Sequence, residues 1–532
     1  MLCKLSIYFN LNKNVFNAIM ILFINEQLFS FQKILLGVRK LYSFIGGIIL
    51  LILGYVFYSK VIIKNFGVEP ERRTPAYVLE DGSDYVPMSK TKNWLIQLLN
   101  IAGTGPIFGP IMGALYGPVA FIWIVIGNIF AGAVHDYYLG MISLRNNGAH
   151  LPELATKYIG KGMKHVVNIF TALLLLLVGT VFVTTPASLL TGVTNGLLSQ
   201  WGWVAIIFIY YILSTVLPID KVIGKIYPFF GAILILACVG VGITLFTSGN
   251  FLNIPELSLA NLHPNNVPLI PGLFFTISCG AMSGFHATQS PIISRTVKDE
   301  EEGRFVFYGA MIAEGIIAMI WAAAAMALFD GQTLADIIAS GTASLAVSEI
   351  AYTLLGTVGG TIAILGVIVL PITSGDTAFR SLRMVIADYI KLPQGSYKNR
   401  FIITFPIYAI SFALMFIDFN LLWRYFTWAN QTTAVIALFV SASYLYLKNR
   451  NYHVVLAPGV FMLYMVILYL LTEQIGFGLP MTISYWISLA VTAAILIAFA
   501  LQMKKMKEAL SPEDDLINDQ KPIAELYPEL MK

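Results

Sequence analysis

The sequence predicts an all-α, polytopic membrane protein of about 13 transmembrane helices, and three observations carry that reading. Of the 532 residues, 57% are apolar and only 12% are charged, whereas a soluble domain carries about 25% charged residues. Apolar stretches of the ~20 residues a helix needs to cross a bilayer recur along the chain. They lack the alternation of barrel strands, and lipid offers no partner to open backbone groups, which leaves helices.

The spans are read at 41–63, 94–115, 117–143, 166–189, 203–217, 227–248, 272–294, 306–329, 358–379, 401–418, 421–447, 454–472 and 481–503. Residues 1–37 have neither the apolar core nor the cleavage site of a signal peptide. Translation is therefore expected to begin at Val38, with residues 1–40 a separate N-terminal segment and 41–503 a single transmembrane domain. Lys and Arg set the orientation. The connections at 190–202, 249–271, 330–357 and 473–480 contain neither. Those at 144–165, 218–226, 295–305, 380–400 and 448–453 contain several each, and the two sets alternate. The basic set and the tail 504–532 are expected in the cytoplasm, and the protein in the inner (cytoplasmic) membrane.

Several functions are set aside at this level. The net charge of +4 is small and its basic residues sit in short loops, so no nucleic-acid partner is expected. No GxxxxGK[ST] occurs, and no soluble segment has room for a nucleotide-binding domain. Cys3, Cys238 and Cys279 show no CxxC spacing. No cofactor is expected.

Two spans are interrupted. NIAGTGPIFGPIMGALYGP at 100–118 carries Gly103, Gly105, Pro106, Gly109 and Pro110. Prolines remove donors and clash with the preceding turn, so unwinding is expected from Gly103 to Pro110. TISCGAMSGFHATQSP at 276–291 carries Gly280, Ser283, Gly284 and His286, and unwinding is expected from Cys279 to His286. Irregular backbone at membrane depth persists where it lines a cavity or is buried in protein. There it offers N–H groups to an anion and carbonyls to a cation. These eight residues, Gly103, Gly105, Pro106, Gly109, Gly280, Ser283, Gly284 and His286, are the candidate substrate-binding set. Close helix packing alone is the competing explanation for the glycines. Each interrupted span opens a set of five, 94–248 and 272–447, in opposite orientations. That is the 5+5 inverted-repeat plan of secondary transporters, here with one extra N-terminal and two extra C-terminal helices.

Ionisable groups within spans are costly and mark function. Asp376, with Thr373 and Ser374, forms an oxygen-rich cluster suited to Na⁺ or, through the carboxylate, to H⁺. Its alternative is pairing with Arg380. Glu314 is either a proton site or an anchor to a neighbouring helix. His135 and Asp136 in GAVHDY read as structural or gating residues, as do Asn430 and Gln431 in WANQTTA. An intramembrane protease is the alternative from another class. Ser283 with His286 gives GAMSG rather than GxSG, and SGD at 374–376 lacks the glycine before it.

At this point the chain resembles the carbon starvation protein CstA family from about Tyr42 to Leu447. The likeness rests on TPAYVLEDGSDYVP at 74–87, IAGTGPIFGPIMGALYG at 101–117, GAVHDY at 132–137, ISCGAMSGFHATQS at 277–290, YGAMIAEG at 308–315 and NQTTA at 430–434. The chain is shorter than the best-known members. Gln97, Leu98 and Leu99 stand where those members usually carry a His pair, whose role is not carried over. The resemblance implies proton-coupled uptake of pyruvate, or uptake of peptides, under nutrient limitation. It also implies a fold similar to the amino acid–polyamine–organocation (LeuT-like) superfamily. In that fold substrate lies between the first and sixth core helices, and Thr373 and Ser374 on the eighth would reach a cation site beside the first. The expected partners are a small-molecule substrate (pyruvate or a peptide), H⁺ or Na⁺ as coupling ion, and membrane lipid.

Overall fold

A computed structural model describes residues 43–82, 84–216 and 219–510. The segment 1–40, with the expected start at Val38, and the tail beyond 510 lie outside the described residues. Among the described residues helix is the only regular secondary structure.

Helix α1 (Ser43–Phe66) precedes the first five-span set. That set comprises α2 (Lys90–Ala102) with α3 (Gly105–Tyr116), α4 (Val119–Arg145), a short α5 (Leu151–Tyr158), α6 (Met163–Val193), α7 (Gln200–Val216) and α8 (Ile219–Thr247). The second set is α9 (Leu269–Thr276) with α10 (His286–Ser294), α11 (Glu300–Leu328), α12 (Gly331–Ile390), α13 (Tyr397–Leu414) and α14 (Phe419–Leu447). Helices α15 (His453–Thr472) and α16 (Met481–Ala509) follow. Seven described helices are each long and apolar enough to cross a membrane, and α2 with α3, bent by 47°, makes an eighth. Helices stand at the remaining predicted positions as well.

Burial sorts the helices into layers. In the apolar windows of α4 and α11, 83% is buried, against 28% in α1 and 17% in α16. The first pair is therefore the centre of the bundle, and the second presents most of its apolar surface outward, where lipid takes the place of protein. The third helices of the two sets, α6 and α12, pack along one another.

Two expectations are corrected. The connection 330–357 is helical, forming the first part of α12. Its mixed polarity hides it from a search for apolar runs. Asp330 caps its start by accepting from Thr333 N at 2.9 Å, and Gly356, at φ +67°, departs from helical backbone angles within α12. Unwinding of the first interrupted span also stops earlier than expected, because α3 begins at Gly105 and continues through Pro110. Pro106 falls in the first turn, where its missing N–H has no intrahelical duty.

Candidate functional site

Both breaks have identifiable backbone causes. Gly103 has φ +46° and ψ −144°, a conformation essentially closed to residues with a Cβ. A Cβ there would also meet the Phe182 ring at 2.6 Å and Ser374 Oγ at 3.5 Å. In the second break Gly280 has φ +85°, and the chain has no regular helix between Thr276 and His286. Every residue over 100–110 and 277–290 is buried.

Four side chains satisfy the second break's free backbone groups, as buried amides and carbonyls require. Trp123 Nε1 donates to Ile277 O at 3.1 Å. Asn128 Nδ2 donates to Gly280 O and to Met311 O, both at 2.8 Å, tying the break to α11. Asn430 Oδ1 accepts from Phe285 N at 2.6 Å and from Ser283 Oγ at 3.1 Å. Gln431 Nε2 donates to Met282 O at 3.1 Å. Asn430 and Gln431 thus hold the break from α14, and Gly284 packs directly on the Asn430 carbonyl.

The structure joins residues that the sequence analysis placed in separate groups. Asp136 accepts from His135 Nδ1 at 2.8 Å through one oxygen and from His286 Nδ1 at 2.9 Å through the other. Across the imidazole, His286 Nε2 stands 3.6 Å from Glu314 Oε2. All four side chains have zero exposure. Cys279 lies against the same group, and its thiol donates to Ser283 Oγ at 3.3 Å. Gly105 supplies the room, since a Cβ there would collide with Cys279. Gly109 similarly lies on the Thr276 carbonyl, and a Cβ on Gly280 would come within 3.8 Å of Pro106 Cα, so the two breaks touch directly.

Asp376 and its neighbours form a second cluster. Ser374 Oγ donates to Leu99 O at 2.9 Å, so α12 reaches the end of α2 beside the first break. Thr373 Oγ1 donates to Leu370 O in its own helix. Asp376 Oδ2 accepts from Ser214 Oγ at 2.5 Å, and Arg380 Nη2 donates to the Ser214 carbonyl at 2.8 Å. The aspartate and arginine thus meet on Ser214 of α7.

Sequence reasoning missed Asn128, Phe182, Asn100 and Thr104. Phe182 packs edge-on against Phe285 at 5.9 Å and covers Gly103, so it stands between the two breaks. Both amide atoms of Asn100 and the Thr104 hydroxyl are buried beside the first break without a hydrogen-bond partner. A lone Asn within an apolar run was the available signal for Asn100 and Asn128. Phe182, one of 35 phenylalanines, offered none. A cavity of about 360 Å³ has a mixed lining, polar from Thr184, Thr185, Ser188, Gln200 and Ser344 and apolar from Met415, Ile417, Phe419 and Leu422. Thr185 and Leu422 stand about one helical turn from Phe182 and from Phe426, which packs on that ring at 6.4 Å.

The fold is shared with solved membrane transporters. Crystal structures of mutants of the manganese transporter from Eremococcus coleocola match at TM-scores of 0.50 and 0.51 with 12% identity, over 80% of this chain and 99% of theirs. With the two broken helices this is the all-α LeuT-like architecture. A Haemophilus influenzae relative described as an uncharacterized membrane protein is 49% identical over 346 residues, 56% of this chain and 93% of its own. The peptide transporter CstA of Campylobacter jejuni is 27% identical over 53% of this chain, and the pyruvate/proton symporter BtsT of Escherichia coli is 27% identical over 55%. The chain spans about half the length of these two relatives. The model of the family described as carbon starvation protein CstA matches residues 41–201 and 191–336. This multi-pass membrane protein belongs to the carbon starvation protein CstA family.

Proposed function

We propose that this chain is a secondary active transporter, not an enzyme, which imports a small carboxylate such as pyruvate with protons across the cytoplasmic membrane when carbon is scarce. The observation that carries the reading is the contact of two helix breaks beside a fully buried chain of His135, Asp136, His286 and Glu314. A chain of two carboxylates and two imidazoles, isolated from water, is a site for taking up and releasing a proton. The naming of the BtsT relative as a pyruvate/proton symporter supports both parts.

The substrate carboxylate is assigned to the side of the break that faces Phe182. No Lys or Arg is available in the middle of the spans around it. The N-terminal ends of α3 and α10 supply positive potential, each equivalent to roughly half a unit charge. The Thr104 hydroxyl and the Asn100 amide add unpaired polar atoms. The 360 Å³ cavity is the approach, and Phe182 is the barrier between it and the first break. Ser374, Thr373 and Asp376 form a second candidate ion site, suited to Na⁺ through hydroxyl and carbonyl oxygens. Peptide uptake is the second reading, favoured by the naming of the CstA relatives as peptide transporters. The direct packing of Gly105 on Cys279 favours the smaller substrate.

Uptake by proteoliposomes tests this. Labelled pyruvate should accumulate under an inward H⁺ gradient and not under a Na⁺ gradient alone. Glu314→Gln should abolish accumulation while the protein stays folded. Dipeptide uptake without pyruvate uptake selects the second reading. Full accumulation by Glu314→Gln removes this carboxylate from coupling.

A further inference from the structure

We propose that Cys279, His286 and Glu314 form a binding site for one divalent transition-metal ion of the zinc type. The thiol sulfur, an imidazole nitrogen and a carboxylate oxygen lie within 4.8 Å of one another, and all three residues are buried. Mixed S, N and O donors are the set such an ion takes.

Two of the three donor groups lack a close hydrogen-bond partner in the protein, and the third, the Cys279 thiol, reaches only the Ser283 hydroxyl at 3.3 Å. His286 Nε2 and both Glu314 oxygens have zero or near-zero exposure and no hydrogen-bond partner. The Gly280 N–H and the Cys279 thiol lie near the carboxylate and the ring. Unpaired buried polar atoms are rare because each carries its full desolvation cost. The 3.6 Å between His286 Nε2 and Glu314 Oε2 is too long for a good hydrogen bond. It is close to the edge of about 3.3 Å that two ligands at ~2.0–2.1 Å subtend at a tetrahedral ion.

The surroundings are those of a positioned ligand set. Asp136 Oδ2 holds His286 Nδ1 at 2.9 Å, which places the proton on that nitrogen and turns the Nε2 lone pair toward the thiol and the carboxylate. A carboxylate behind a ligating histidine orients the ring and raises its basicity. Asp136 is itself fixed by His135. Gly105 leaves the thiol its space. Thiolate and carboxylate together carry two negative charges, which neutralise a divalent ion where an unbalanced charge is costly. Cys238 is also buried but belongs to no such group of His, Cys, Asp or Glu among the described residues.

A bound ion would pin the second break to α11, and its exchange with solvent would require the two breaks to part. Metal and proton would compete for His286 and Glu314. The metal site itself does not depend on the substrate reading, because binding is measured directly.

The test uses the full chain in lipid nanodiscs, stripped with chelator and titrated with Co²⁺. One Co²⁺ per chain is expected, with near-ultraviolet thiolate-to-cobalt absorption that Zn²⁺ displaces. Cys279→Ser should lose that absorption. His286→Gln and Glu314→Gln should weaken binding at least tenfold. Cys238→Ser and Cys3→Ser should leave it unchanged. X-ray absorption of the Zn²⁺-loaded unmodified protein, which needs no variant to fold, should read one sulfur in the ligand shell. Absence of stoichiometric binding by the folded protein, absorption retained in Cys279→Ser, or a shell of nitrogen and oxygen alone would each overturn the proposal.

Discussion

Glu153, at the start of the short helix α5 outside the membrane, shows how one residue can set a pH dependence. It is half-buried, and burial pushes its carboxyl up from an ordinary 4.5 to about 7, with the Asp388 carboxylate adding to the shift and Arg295 opposing it. The folded chain therefore holds a proton that the unfolded chain has released between about pH 4.5 and 7. Stability falls as pH rises through that window, by up to about 3 kcal/mol at 1.36 kcal/mol per unit. Glu153→Gln has no carboxylate to ionise. In detergent its melting temperature should match the parent near pH 4.5 and exceed it by several degrees at pH 8. A difference independent of pH would show that Glu153 ionises freely in the folded protein. The same scale shows what a sequence can reveal about a site. Gly103 and Gly280 were legible because only glycine tolerates their backbone angles, with Pro106 close by the first and Gly284 close by the second to mark an interrupted span. The bond of His286 to Asp136 was not legible, because it joins residues 150 positions apart and no local periodicity encodes it. Asp136 reads in the sequence as a structural or gating residue, and the fold turns it toward the second break.

At the scale of elements, the ends of several helices are tied by one buried ion pair. Arg145, at the end of α4, donates through Nε and Nη2 to the two Glu300 oxygens, both at 2.8 Å. Its remaining donors reach Gly67 O, just after α1, at 2.7 Å and Tyr444 OH, near the end of α14, at 3.1 Å. Glu300 also accepts from Glu69 N at 2.9 Å. The side chains of Arg145 and Glu300 are 4% and 0% exposed, and only the longer 3.6 Å contacts of Arg145 to Glu69 and of Glu300 to Arg72 would remain to compensate a lone charge, so removing one partner costs up to about 3–5 kcal/mol. The pair thus ties α1, α4 and α14 together at the end of the bundle onto which α10 runs from the second break. Glu300→Gln should loosen that end. A cysteine placed at Ser294, whose hydroxyl now donates to Gly140 O at 2.8 Å, serves as reporter in a cysteine-free background. It should react faster with a permeant maleimide when Glu300 is replaced. Equal rates would show that this end is held by packing alone. The helices themselves were legible from apolar length, which is why the spans fall near their expected places. The helical connection 331–355 was not, since its mixed polarity breaks the apolar run by which the spans were found.

For the whole molecule, the remaining question is which face looks into the cell, because a bundle of helices carries no mark of direction except its charges. Lys and Arg remain on the cytoplasmic side during insertion, and the effect is strongest in short loops. The connection 249–271 contains no Lys or Arg, whereas 380–400 holds Arg380, Arg383, Lys391, Lys398 and Arg400. Ala260 and Gly395 are exposed positions in these two connections, and Gly395 has open space around it, so a small substitution at either leaves the packing undisturbed. In a cysteine-free background Ala260→Cys should react with an impermeant maleimide once the reagent reaches the outer face of the cytoplasmic membrane. Gly395→Cys should react only after that membrane is permeabilised. The reverse pattern would invert the whole protein, because alternating connections leave no way to turn one loop without its neighbours. It would also place Glu300 and Arg145 on the outer face, and the 360 Å³ cavity near Phe182 would then lie toward the cytoplasm. Import as proposed requires the opposite, with substrate meeting that cavity before Phe182 and the break. The labelling pattern therefore tests the direction of transport as well as the topology.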